Sequence, residues 1–177
     1  MYMNNKGFTK VEILIVVAVI GVLGVVAGMA VKSARVQTRD AVRLSDVRQV
    51  QVGLELYFND FSSYPQTTEI IPLGQASTVC LGSAGFAPSC AGASQTVYLD
   101  TIGGTPRTGL KGLASCGNIG DAYCYFGNAN QFRIQFEIER KNSLLGLERG
   151  MNCMTESGLK AGACQQIPVP TPGVSLD

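Results

Sequence analysis

Between Ile13 and Val31 the chain carries no charge, no proline and no side-chain amide. As a helix rising about 1.5 Å per residue, that run spans most of a hydrocarbon core of about 30 Å. Immediately ahead of it stands Glu12, one residue inside the apolar boundary set by Val11. A carboxylate at the centre of a membrane helix costs about 2.5–3.5 kcal/mol on insertion scales. Glu12 lies near one end, where the cost is smaller, but it still asks for a partner.

The chain has 177 residues, a length that suits one domain and an anchor and leaves enough residues beyond the run for a real core. A net charge of +1 gives no global case for nucleic acid or acidic substrates. Histidine is absent, which removes the commonest general base, the commonest metal ligand and the histidine-dependent triads. There is no P-loop, dinucleotide fingerprint, H-E-x-x-H helix or G-x-S-x-G elbow. The expectation is a structural protein that needs no cofactor and is not an enzyme.

An ordinary secretory signal has a shorter apolar core with a small-residue cut site after it. Here the core is long, although Ala27-Gly28-Met29-Ala30 could be read as such a site. Loop charge gives a conflicting orientation. Lys6 and Lys10 flank the run on one side and Lys32, Arg35, Arg39 and Arg43 on the other, so the positive-inside rule alone would put the C-terminal part in the cytoplasm.

The stretch Gly7-Phe8-Thr9-Lys10-Val11-Glu12-Ile13-Leu14-Ile15-Val16-Val17 resembles the processing and polymerisation segment of the type IV pilin family, which includes the pseudopilins of type II secretion. Lys10 stands where that family usually has an apolar residue. The resemblance implies a basic leader cut after Gly7 by a membrane peptidase that also N-methylates Phe8. It makes Glu12 the fifth residue of the mature chain and an assembly residue. It also implies a head outside the cytoplasm, against the loop charges. In physical terms, the amine freed at Phe8 and the Glu12 carboxylate lie four residues apart on one helical face. One subunit's amine can therefore neutralise a neighbour's carboxylate. Snorkelling of Glu12 from an ordinary single-span anchor is the plain alternative.

Gly21, Gly24 and Gly28 interrupt the apolar helix, either permitting close helix packing or weakening the helix so that it can bend. From Lys32 onward the helix continues as an amphipathic rod, with Leu44, Val47, Val50, Leu54, Tyr57 and Phe58 on one stripe. Arg35, Arg39 and Arg43 form a row of like charges at spacing four. That row calls for external anions from neighbouring subunits or lipid headgroups, unless it is simply solvated. The helix should stop near Asn59-Asp60, and the Tyr64-Pro65 pair after it is similar to the helix exit of the major pseudopilins and many pilins.

Pro65 to Ala93 reads as a connecting loop, and Gln95 to Ile102 and Ala122 to Gly127 as strands. Phe132, Ile134, Phe136 and Ile138 alternate with polar residues as a half-buried strand, which should leave Glu137 and Glu139 exposed. Asn128-Ala129-Asn130 reads as a hairpin turn and Gly158 to Gly162 as a further loop. The sheet's apolar side should pack on the helix stripe. Glu137, Glu139, Glu148 and Glu156 lack the acidic spacing of a calcium loop, so no metal is expected.

Six cysteines fall as three local pairs, Cys80 with Cys90, Cys116 with Cys124 and Cys153 with Cys164, though other connectivities stay open. Disulfides suit a glycine-rich head outside the cytoplasm, whereas zinc expects C-x-x-C spacings that are missing. In many type IV pilins a C-terminal disulfide loop is the adhesive surface. The resemblance extends that role to Cys153–Cys164, which is equally read as a staple.

The expected fold is α+β: a long N-terminal helix on a small antiparallel sheet, pilin-like. Residues 1–7 are the leader, 8–31 the membrane and polymerisation helix, 32–61 its amphipathic continuation, 62–168 a β-rich head and 169–177 a flexible tail. The expected product is a type IV pilus subunit that sits in the inner membrane as a single-pass protein and then joins an extracellular helical homo-oligomer. Such a filament serves adhesion, motility or DNA uptake, nucleic acid being a speculative partner only. The resemblance implies a prepilin peptidase/N-methyltransferase and an assembly platform as partners. Two alternatives stand beside it: a pseudopilin of type II secretion, and a single-span binding protein that does not polymerise.

Overall fold

The computed structural model describes residues 9–92, 95–104, 116 and 122–165. The expected leader and its junction at Gly7 and Phe8, and the expected tail 169–177, lie outside the described residues. Among the described residues one helix, α1 (Lys10–Phe61), is followed by β1 (Ile71–Leu73), β2 (Cys80–Gly82), β3 (Gly85–Ala87), β4 (Val97–Leu99), β5 (Tyr123–Gly127), β6 (Phe132–Ile138), β7 (Gly150–Thr155) and β8 (Gly158–Ala161). The chain divides into two compact units between Thr38 and Arg39.

In the first unit, the residues from Ile13 to Val31 are helical throughout and none is buried. Valine and isoleucine dominate them and are mediocre helix formers in water. In lipid the helix is the single-segment solution that satisfies every backbone group, so such a sequence is helical where water is absent. A Cβ at Gly21, Gly24 or Gly28 would meet nothing within 4 Å.

In the second unit, α1 turns Val47, Val50 and Leu54 into a core with Leu73, Tyr123, Tyr125, Phe132, Ile134 and Phe136 from the sheet. This is the α+β, pilin-like arrangement, a long helix packed on an antiparallel sheet. At Gly53 a Cβ would stand 3.3 Å from that of Leu99, so the missing side chain lets β4 lie close to the helix. The helix ends where Ser62 takes a left-handed conformation (φ 53°) and its N–H donates to the Phe58 carbonyl at 2.7 Å, a C-terminal cap followed three residues on by Pro65.

The main sheet has the order β1-β5-β6-β7-β8 with every pairing antiparallel, and β3-β2-β4 form a second antiparallel sheet. Asn128 closes the β5–β6 turn, its N–H donating to the Gln131 carbonyl at 2.9 Å while its Oδ1 accepts from the N–H groups of Asn130 and Gln131.

Four expectations are corrected. Pro65 to Ala93 holds β1, β2 and β3, strands of three residues that are too short to show a period of two. Gly158 to Gly162 is largely β8, paired with β7 from Asn152↔Ala161 to Thr155↔Gly158, with glycine supplying the positive φ at its first residue. Glu137 is buried and the Glu139 side chain nearly so, because β6 is the central strand and both of its faces are covered from Phe136 to Ile138. The arginine row does not wait for external anions at Arg39 and Arg43, which are satisfied within the head.

Candidate functional site

At the start of α1, Thr9 is the last non-helical residue. Its Oγ1 accepts from the Glu12 N–H at 3.2 Å, and its own N–H donates to Glu12 Oε2 at 3.4 Å. These are the two reciprocal bonds of a capping box, satisfying amides that the first helical turn leaves without partners. The negative charge also lies at the favourable end of the helix dipole. Glu12 is thus held by one carboxylate oxygen near the helix start and exposed on the other side. The T-x-x-E spacing carries this signal in the sequence, and reading Glu12 only for an external partner missed Thr9.

Just beyond the apolar run, α1 carries Lys32 and Arg35, both exposed, and then a different arrangement. Arg39 grips Glu139 with two parallel bonds, Nε to Oε1 and Nη2 to Oε2, each 2.6 Å. Arg43, 1% exposed at its side chain, reaches Asp40 Oδ1 at 2.7 Å and Glu139 Oε1 at 3.1 Å. Asp40 in turn accepts the backbone N–H groups of Glu139 (2.8 Å) and Arg140 (3.0 Å), closing the end of β6 onto the helix. Two guanidinium groups and two carboxylates therefore share one half-buried site in which each carboxylate oxygen accepts at least one hydrogen bond, the geometry in which a desolvated ion pair holds. The Arg39 hydrogen bond pulls the Glu139 carboxyl below its ordinary pKa, and burial opposes it. The same bond raises Arg39.

Two tyrosine hydroxyls complete the attachment of helix to sheets. Tyr123 donates to Asp46 Oδ2 at 2.7 Å; burial pushes the Asp46 carboxyl up while the hydroxyl draws it back, and burial together with that carboxylate pushes the Tyr123 phenol up. Tyr98 donates to Asp60 Oδ2 at 2.6 Å, and that bond pushes its phenol up to about 12.

All six cysteines are paired as Cys80–Cys90, Cys116–Cys124 and Cys153–Cys164, with Cα separations of 6.0, 5.3 and 5.0 Å. Each bridge closes a short local loop. The last ties the end of β8 back to β7, where Gln135 Oε1 also accepts the Cys164 N–H at 3.1 Å. Among the described residues no three His, Cys, Asp or Glu side chains form a group that could hold a metal ion. One helix among them is long and apolar enough to cross a membrane.

The chain is similar to the type II secretion system core protein G of Pseudomonas aeruginosa, 32% identical over 66 residues. The match covers 37% of this chain and 46% of that protein, so the chain spans about half the length of the curated relative. No family model matches the chain. No solved structure matches it either.

Proposed function

We propose that this chain, whose similarity to a secretion pseudopilin and whose long apolar N-terminal helix fit the type IV pilin and pseudopilin family, is a structural subunit of a type IV pilus. It is made as an inner-membrane protein with the head outside the cytoplasm, cut after Gly7, N-methylated at Phe8 and polymerised into a helical filament. Its chemistry is assembly and not catalysis; the peptidase, the platform and the motor are other proteins.

The observation that carries this reading is the first unit of α1: an apolar helix with no buried residue from Ile13 to Val31, headed by a carboxylate. Lipid can cover that surface before assembly and sister helices afterwards. The Glu12 oxygen outside the capping box is open to the ammonium that hydrolysis exposes at Phe8 of a neighbour.

Mass spectrometry of the native N-terminus tests the reading: a mature chain beginning at methylated Phe8 is the expected result, and one beginning at Met1 or beyond Val31 overturns it. Glu12→Ala should give an inserted, folded monomer absent from sheared filaments. The similarity to core protein G favours a second reading, a pseudopilin of type II secretion. Negative-stain microscopy of sheared cells separates the two, long surface filaments supporting the pilus and their absence the pseudopilus.

A further inference from the structure

The turn between β6 and β7 leaves the head at the end where the chain enters it. β6 runs back along α1, with Phe132 meeting Tyr64 edge to face beyond the helix end and Glu139 bonded to Arg39 where the head begins. Asp40 then accepts the Arg140 N–H. Beyond it the turn is closed on itself. Asn142 and Leu147 exchange two backbone bonds of 2.9 Å, Asn142 Oδ1 accepts from the Leu145 N–H, and Leu147 is fully buried. The Asn152 side chain holds the outgoing limb by the Glu148 amide and carbonyl. At the tip of this pinned turn Leu144 is 98% exposed, whereas the next most exposed large apolar side chain among the described residues of the head, Val52, is 56% exposed.

The turn is also basic. Arg140, Lys141 and Arg149 are exposed beside one acid, Glu148, which Lys141 bonds at 2.6 Å. Asp40 and Glu139 at this end are matched by Arg39 and Arg43, and Asp46 by the Tyr123 hydroxyl. At the opposite end the balance reverses: Asp60 at the helix exit, Glu69 before β1 and Glu156 in the β7–β8 turn stand against Arg133. Val31 precedes Arg39 by eight residues, about 12 Å as helix, and the headgroup layer takes up about 5–7 Å of that. The remainder lies within the reach of an ordinary tilt of the span, about 20°. We infer that the β6–β7 turn is a second membrane contact. Leu144 enters the boundary between headgroups and acyl chains of the bilayer that holds the chain's own span, with Arg140, Lys141 and Arg149 over anionic phospholipid headgroups. One leucine and a few cations hold a free protein to lipid only weakly. Here the span tethers them, so the contact is intramolecular and its effective concentration is high. The inference rests on the membrane-anchored state in the reading above, and not on polymerisation.

The test uses the full-length chain reconstituted in vesicles of phosphatidylcholine with or without phosphatidylglycerol. Because all six native cysteines are paired, an added thiol takes the fluorescent label. Ser143→Cys places it on the turn, Asn130→Cys at the opposite end of the head and Val22→Cys in the span. Quenching by nitroxide-bearing lipid measures the ratio of lipid-contacting to aqueous label. In vesicles containing phosphatidylglycerol the Ser143 position should be quenched and the Asn130 position should not. Leu144→Asp should lower the ratio at Ser143 by at least about tenfold, and Arg149→Gln by about fivefold. An unchanged denaturation midpoint of the head confirms that each variant is folded, both side chains being exposed. A Ser143 label as aqueous as the Asn130 label, equal quenching in the two lipids, or indifference to both variants overturns the contact. So does a label shielded from aqueous iodide yet out of reach of the lipid nitroxide, which would indicate a protein partner. If the Val22 label is itself aqueous, the anchored reading fails; if it is in lipid while the Ser143 label is in water, only the inference drawn here fails.

Discussion

The two stretches of α1 on either side of Thr38 share one backbone and face opposite demands. From Ile13 to Val31 every side of the helix is apolar and every residue is exposed. From Arg39 to Leu54 one side is buried among the strands and the other carries Arg48, Gln49 and Val52 into solvent. A helix that is apolar all round has a uniform surrounding, and one that is striped has two. The first stretch is therefore left uncovered by its own residues, and the second is buried by the chain's own sheets. Substitutions that damage one should spare the other.

The sharpest way to break that comparison is a crossed pair. Phe136→Ala, in the core, should cost the head about 3–5 kcal/mol, read as a lowered denaturation midpoint, with membrane fractionation unchanged. Val22→Asp, midway along the exposed run, should do the reverse. It lowers insertion by about 2.5–3.5 kcal/mol on translocon scales and leaves the head's midpoint untouched. If either variant moved both readings equally, the two stretches would not be independent.

A smaller effect sharpens the boundary between them. Glu139→Gln removes a carboxylate that both Arg39 and the almost fully buried Arg43 use, and should cost about 3 kcal/mol, the low end for a broken buried pair because Arg39 is partly exposed. The sign with pH follows from the lowered Glu139 pKa. Its contribution is complete above the ordinary glutamate value and is lost as pH falls through the lower, folded-state value. Acid titration of the head should therefore show a limb that the glutamine variant flattens. The smallest effect belongs to Lys141→Ala, which removes a 2.6 Å ion pair to Glu148 between two side chains more than half exposed. It should change stability by less than about 1 kcal/mol, and less in high salt.

What could be read in the sequence follows the length of each periodic signal. The helix, its stripe at Val47, Val50 and Leu54, and the alternation of β6 are long enough to declare themselves. The strands between Ile71 and Ala87 are three residues each; β1 is defined by Tyr123 to Tyr125 far along the chain, and β2 and β3 by each other and by β4. The Arg39–Glu139 pairing spans 100 positions, and no local pattern announces it. Period-two reasoning placed Glu139 on a wet face, because alternation says which side a residue takes and not whether that side is covered. Thr9 was legible in the T-x-x-E spacing, whereas Asp40 as an acceptor for two strand-end amides was not.

That Asp40 junction has a mechanical meaning. At Arg39, Asp40 and Arg43 the helix meets the end of β6, and the joint there consists of ion pairs and amide hydrogen bonds. No disulfide includes a helix residue, so a load that opens the joint leaves the covalent frame of the head intact. Inside the head the polar joint is thus noncovalent, and beyond it the buried side chains of Val47, Val50 and Leu54 hold the helix to the strands.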